Sequence, residues 1–164
     1  MRKILIGVMG PGTGASQADQ QNAYELGKLI AEEGWVLLTG GRNAGVMKAA
    51  NRGAKAANGL TVGILPTADD SGISEAVDIA IFTDMGSARN NINVLSSDVV
   101  IACGMGAGTA SEVALALKAN KSVVLLSEYQ ESQRFFTSLS SGTVFVAKTP
   151  EAAIAIVKDL IEHQ

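Results

Sequence analysis

The side chains of this chain that could do chemistry gather around three glycine-rich turns. These are Gly10-Pro11-Gly12, Gly40-Gly41-Arg42 and Gly104-Met105-Gly106-Ala107-Gly108-Thr109. Each follows an apolar run that reads as a strand and leads into a stretch that reads as a helix. The first N–H groups of a helix lack internal partners, and the aligned peptide dipoles add positive potential there. A strand, a glycine turn and a helix N-terminus therefore make a place for an anion. A lone turn of this kind is an ordinary connection. Three on one sheet edge point to a single ligand with phosphate or similar anionic groups.

Two kinds of charged side chain stand near these turns. Arg89, in Gly86-Ser87-Ala88-Arg89-Asn90-Asn91, opens a predicted helix. A cation there opposes the dipole, so local helix stability does not account for it; a fixed anionic partner does, and a solvated surface arginine fits as well. Arg42 follows the same logic inside the second turn. Glu112 lies one helical turn past Gly108, so its side chain can point back to the turn. A solvated helix acid, favoured by the dipole by about 0.3–1 kcal/mol, fits the spacing equally well.

What is missing is as informative. The sequence holds one His, His163 beside the C-terminus, and one Cys, Cys103. A Ser-His-Asp triad, a Cys-His pair and a zinc site of His and Cys ligands are excluded, so no metal is expected on protein ligands. Cys103 ends a predicted buried strand with no base in reach, and reads as a small core residue. Asp84 and Asp98 flank strands as turn or cap acids. The first turn lacks the lysine and spacing of a P-loop, and the dinucleotide pattern G-x-G-x-x-G is absent because position 111 is Ser. Met9, Met47, Met85 and Met105 fall near the turns. Core filling explains them, and Met105 is the one most expected to wall a flat heterocycle.

The elements that must hold these residues follow from composition and pattern. A chain of 164 residues, 47% hydrophobic and 18% charged, suits one folded domain, 1–164. The net charge of −3 and scattered Lys and Arg argue against a nucleic-acid partner. No apolar run approaches the roughly 18 residues of a membrane span, so no membrane partner is expected. Met1–Met9 resembles a signal peptide in charge order but is too short and runs into Gly10-Pro11-Gly12. A single cysteine fits a reducing cytoplasm.

Runs of Val, Ile and Leu predict strands at 3–9, 35–39, 60–65, 78–82, 99–103, 122–126 and 143–147. Helices are expected at 18–33, 46–58, 86–97, from the third turn to about 120, at 132–140 and after Pro150. Ile92 and Leu95 are expected on one helical face. Ser16 or Asp19 can cap the first helix, Gly34 can stop it, and Thr149-Pro150-Glu151 starts the last. Buried strands alternating with helices mean an α/β fold, a doubly wound, mostly parallel Rossmann-like sheet of about seven strands with helices on both faces. Such sheets bind ligands beyond the carboxyl ends of the strands, where strand order reverses.

Taken together, Gly40-Gly41-x-x-x-Gly45-Val46-Met47, Ser87-Ala88-Arg89-Asn90 and Gly104-Met105-Gly106-Ala107-Gly108-Thr109-x-x-Glu112 resemble the LONELY GUY superfamily. That group was long described as possible lysine decarboxylases. Within it the likeness is greatest to the molybdenum cofactor carrier proteins, and it runs from Ile4 to about Leu126. The third motif is the specific one, matching P-G-G-x-G-T-x-x-E. The resemblance implies a Rossmann-like fold, a homodimer or homotetramer, and a pocket at the glycine turns. Enzymes of the superfamily cleave the N-glycosidic bond of cytokinin nucleoside monophosphates with the Glu and Arg that match Glu112 and Arg89. The carriers bind the molybdenum cofactor, a pterin with a dithiolene and a phosphate. Three departures separate this chain from the enzymes: Gly104-Met105 replaces Pro-Gly, Arg89-Asn90 replaces Arg-Lys, and Arg42 replaces a third glycine.

The expectation is thus a cytoplasmic homo-oligomer that binds, protects and carries the molybdenum cofactor (molybdopterin), passing it to molybdoenzyme partners. Its binding residues would be Gly10, Pro11, Gly12, Gly40, Gly41, Arg42, Arg89, Asn90, Gly104, Met105, Gly106, Ala107, Gly108, Thr109 and Glu112. The alternative is a nucleoside 5′-monophosphate phosphoribohydrolase in which Arg89 and Glu112 are catalytic. A third reading is a sensor that holds an AMP-like nucleotide without reaction.

Overall fold

The structure is a computed structural model. It describes residues 1–163, and Gln164, the end of the expected 1–164 domain, lies outside them. Seven strands form one parallel sheet in the order β4-β3-β2-β1-β5-β6-β7. They are β1 (Leu5–Met9), β2 (Val36–Thr39), β3 (Thr61–Leu65), β4 (Ile79–Phe82), β5 (Val99–Cys103), β6 (Val123–Leu126) and β7 (Val144–Ala147). The helices are α1 (Gln17–Glu32), α2 (Gly45–Ala56), α3 (Asn90–Ser96), α4 (Ala107–Lys118), α5 (Gln130–Leu139) and α6 (Pro150–Glu162). The chain winds outward from β1 to β4, then returns to pair β5 with the other side of β1. The reversal point therefore lies between β1 and β5.

The central strands are buried on both faces, which explains their unbroken apolar sequence. Side chains alternate between two cores. Ile6, Val8, Val99, Ile101 and Cys103 pack with α1, α2 and α6. Met9, Val100, Ala102 and Leu125 pack with α3, α4 and α5. Each such large side chain, removed from water, contributes about 1.5–3 kcal/mol.

Local signals place the helix ends. Ser16 caps α1 in a reciprocal box with Asp19, and Gly34 follows its end at φ 75°. Thr149 Oγ1 accepts from the Ala152 N–H, with Pro150 at the first position of α6. Two expectations change. Gly86–Arg89 forms a separate 3₁₀ turn ahead of α3, and this resets the helical phase. Val94, Asn90 and Asn93 take the buried face, while Leu95 is 53% exposed. Of the run 78–82, Ile79–Phe82 forms an edge strand, and its Ile79, Ile81 and Phe82 are about half exposed.

Candidate functional site

The three turns leave the carboxyl ends of β2, β1 and β5, three adjacent strands, so the sheet itself brings them side by side. Backbone contacts then lock them together. The Val46 N–H at the start of α2 donates to Pro11 O at 3.0 Å, which fastens the second turn to the first. A methyl at Gly106 would lie 3.5 Å from the Pro11 ring, so the third turn rests on the first as well. Beneath the second turn, the Gly41 N–H donates to Thr39 Oγ1 and that hydroxyl donates to Asn51 Oδ1. This short chain of bonds sits in the core and fixes the turn from below.

Between the turns is a cavity of about 350 Å³. Gly10, Pro11 and Gly12 line it from the first turn, Gly40 and Arg42 from the second, and Gly106, Ala107, Gly108 and Thr109 from the third. Arg89, Asn90 and Glu112 complete its walls. No side chain caps α4, so the amides of Ala107, Gly108 and Thr109 open its N-terminus toward this space. A Cβ at Gly108 would meet nothing within 4 Å. Arg42 stands exposed at the rim.

Arg89 is buried, and its guanidinium is held by the protein. Nε donates to Ile64 O at 2.8 Å, one terminal nitrogen donates to Asn90 Oδ1, and the other lies 3.4 Å from Gly40 O. Gly40 is what admits it, because a Cβ there would fall 2.8 Å from Arg89 Nη2. Burial lowers the Arg89 pKa and nearby Arg42 adds to this, while the Glu112 charge opposes it. Asn90 in turn donates to Ser111 Oγ at 3.0 Å, which ties the 3₁₀ turn to α4.

Glu112 faces the same cavity and is 7% exposed. Burial pushes its carboxyl up to about 7, against a hydrogen bond from Asn93 and the charge of Arg89. Asn93 Nδ2 donates to Glu112 Oε2 at 3.0 Å. Around this pair polar capacity is left over. Asn93 Oδ1 and Thr109 Oγ1 are buried with no hydrogen-bond partner among the described residues, and both residues line the cavity. An orphaned buried polar atom costs about 1–3 kcal/mol, so this wall has polar capacity to spare.

Three of the expected site residues point elsewhere. Gly41 (φ 77°) backs onto Gly63 and Leu65 of β3. Gly104 (φ 77°) gives its N–H to Leu126 O and faces the Asp19 carboxylate on the far side of the turn. In both, the left-handed backbone that starts the turn aims the residue away from the cavity. Met105 is partly buried and packs against the core shared by α3, α4 and α5, and Met47 lines the cavity instead. Met85 is 49% exposed. Cys103 is buried, with its thiol pushed up to about 12 by burial and by Asp19, as suits a core residue.

Asn93, Ser87, Thr13 and Gly14 also line the cavity and were not among the expected binding residues. For Asn93 a signal existed. It lies four residues after Arg89, in a segment unusually rich in asparagine for a helix.

Comparison with known proteins gives a consistent set of relatives. The model of the SLOG cluster4 family matches residues 3–154. A protein of Archaeoglobus fulgidus is 48% identical over 126 residues, 77% of this chain and 82% of its own length. The structure of the molybdenum cofactor binding protein from the phototrophic bacterium Rippkaea orientalis is 61% identical, covers 98% of this chain and 99% of its own, and superposes with a TM-score of 0.97. That of the Moco carrier protein from Chlamydomonas reinhardtii is 56% identical over 99% of this chain and 100% of its own, with a TM-score of 0.93.

Proposed function

The chain belongs to the SLOG cluster4 family, and from that starting point we propose that it binds, protects and carries the molybdenum cofactor. The observation that carries this reading is the convergence of three turns on one cavity beside β1 and β5. The cavity has the parts such a ligand needs. The open amides of α4, with Arg42 and Arg89, suit the phosphate. A charge-assisted bond there contributes about 1.5–3 kcal/mol. Met47 gives apolar, polarisable surface for the pterin ring. Molybdenum arrives within the cofactor as cargo. The relatives named above, at 56–61% identity, are themselves described as binding or carrying this cofactor.

The finer features belong to the same proposal. Residues 1–164 act as one ligand-binding domain in the cytoplasm, as a homodimer or homotetramer that hands its cargo to molybdoenzymes. The half-exposed Ile79, Ile81 and Phe82 on the edge strand β4 favour self-association, since an apolar edge left open invites pairing. Among the described residues, no helix is long and apolar enough to cross a membrane. Binding uses Gly10, Pro11, Gly12, Gly40, Arg42, Arg89, Asn90, Gly106, Ala107, Gly108, Thr109 and Glu112.

Titration of the purified protein with molybdenum cofactor and with AMP, side by side, tests the reading. Saturable cofactor binding at micromolar concentration or tighter, with protection from oxidation and no base released from AMP, is the expected result. Release of adenine by the wild type, lost in Glu112→Gln, would replace the carrier with a phosphoribohydrolase.

A further inference from the structure

The cavity lining carries two kinds of polar group. Donors come from the first amides of α4 and from the cations Arg42 and Arg89. Acceptors cluster around Glu112. Glu112 spends one oxygen on Asn93, and Asn93 Oδ1 and Thr109 Oγ1 have no partner among the described residues. Thr109 and Asn93 are 2% and 1% exposed. A ligand that satisfied both kinds would carry an anionic group and adjacent N–H donors.

We propose that Glu112, positioned by Asn93, accepts the ring N–H and the exocyclic amino group of a 2-amino-4-oxopyrimidine edge, and so selects pterin- and guanine-type rings over adenine-type ones. The inference rests on the cofactor-binding reading above, because it assigns the pterin end of that ligand. The chemistry is a matched pair. A carboxylate accepts two parallel N–H bonds, as it does from a guanidinium fork. The 2-amino-4-oxo edge presents such a pair. Adenine has a single amino group flanked by ring acceptors, which would face the Glu112 oxygens lone pair to lone pair. A site built to hydrogen-bond a ligand N–H rejects the analogue that lacks it, because its own buried groups stay unpaired. Arg89 stays out of the pairing. Its Nε and both terminal nitrogens are engaged with Ile64, Asn90 and Gly40, and no ion pair joins it to Glu112 among the described residues.

The test measures equilibrium binding of GMP, IMP and AMP to the wild type and to Glu112→Gln. IMP keeps the ring N–H of GMP and lacks only its 2-amino group. The expected result is GMP bound about tenfold or more tightly than IMP, and AMP weakest, with the preference for GMP over IMP lost in Glu112→Gln. Equal affinities, no binding of GMP, or a preference kept by Glu112→Gln overturns the assignment. The comparison among ligands uses the unaltered chain, so a folding defect in the variant cannot produce it. Cofactor binding without selectivity among nucleotides removes this inference alone. Nucleotide selectivity without cofactor binding removes the carrier reading alone.

Discussion

Asn93 on α3 donates through Nδ2 to Glu112 Oε2 on α4 at 3.0 Å, and the bond joins two helices that follow different strands. It fixes which way a buried carboxylate faces. It also stabilises the ionised form of a group that burial pushes up to about 7. Removing the donor should leave the carboxyl more reluctant to ionise. We expect Asn93→Ala to raise the Glu112 pKa above its wild-type value, read by carboxyl-carbon NMR titration. An unchanged titration would mean that the bond does not govern Glu112.

Stability should follow the same group. Glu112 holds its proton more tightly in the folded chain than when unfolded, so its contribution is full below the ordinary carboxylate range and is lost as pH rises toward about 7. The loss amounts to about 3 kcal/mol at most. Asp78 and Asp98 act in the opposite sense. Burial pushes each up, but bonds from Lys55 and Thr61 to the first, and from Arg2 and Leu5 to the second, bring both below the usual range. The sum of the three obscures each one, so the variant isolates Glu112. Denaturant unfolding of Glu112→Gln should lose less stability than wild type between pH 5 and about 7.5. Parallel curves would contradict the assignment.

Gly40 admits Arg89 to the cavity wall. A Cβ there falls 2.8 Å from both Arg89 Nη2 and Met47 Sδ, the far ends of flexible side chains. Gly40→Ala should therefore fold, with a cost of about 1–3 kcal/mol for overpacking, and shift Arg89 off its carbonyl partners. The expected readout is cofactor affinity reduced about tenfold or more, since one charge-assisted contact is misplaced. Undiminished affinity would show that the position of Arg89 does not matter to the ligand.

Much of this was legible in the sequence, and the reasons differ by element. Apolar runs fixed the strands because a parallel sheet buries both faces of each one, and Ser16, Thr149 and Pro150 marked helix starts through local capping chemistry. The three turns were legible because glycine, strand and helix occur in order along the chain. The facing of individual turn residues was not. Gly41, Gly104 and Met105 share their turns with lining residues, but the backbone twist that sends them away is invisible in residue type. The 3₁₀ turn before α3 hid the exposure of Leu95 in the same way. Asn51 and Asn93 were missed because a buried asparagine is defined by distant partners, Thr39 in one case and Glu112 in the other.

The central claim is that the hollow between the three turns is where the cofactor sits. Gly108 tests it, because a side chain there would enter open space and leave the packed core untouched. Equilibrium titration with molybdenum cofactor should show saturable binding by the wild type at micromolar concentration or tighter, and none by Gly108→Leu at an unchanged melting temperature. A wild type that does not saturate, or a folded Gly108→Leu that binds equally well, would contradict the account.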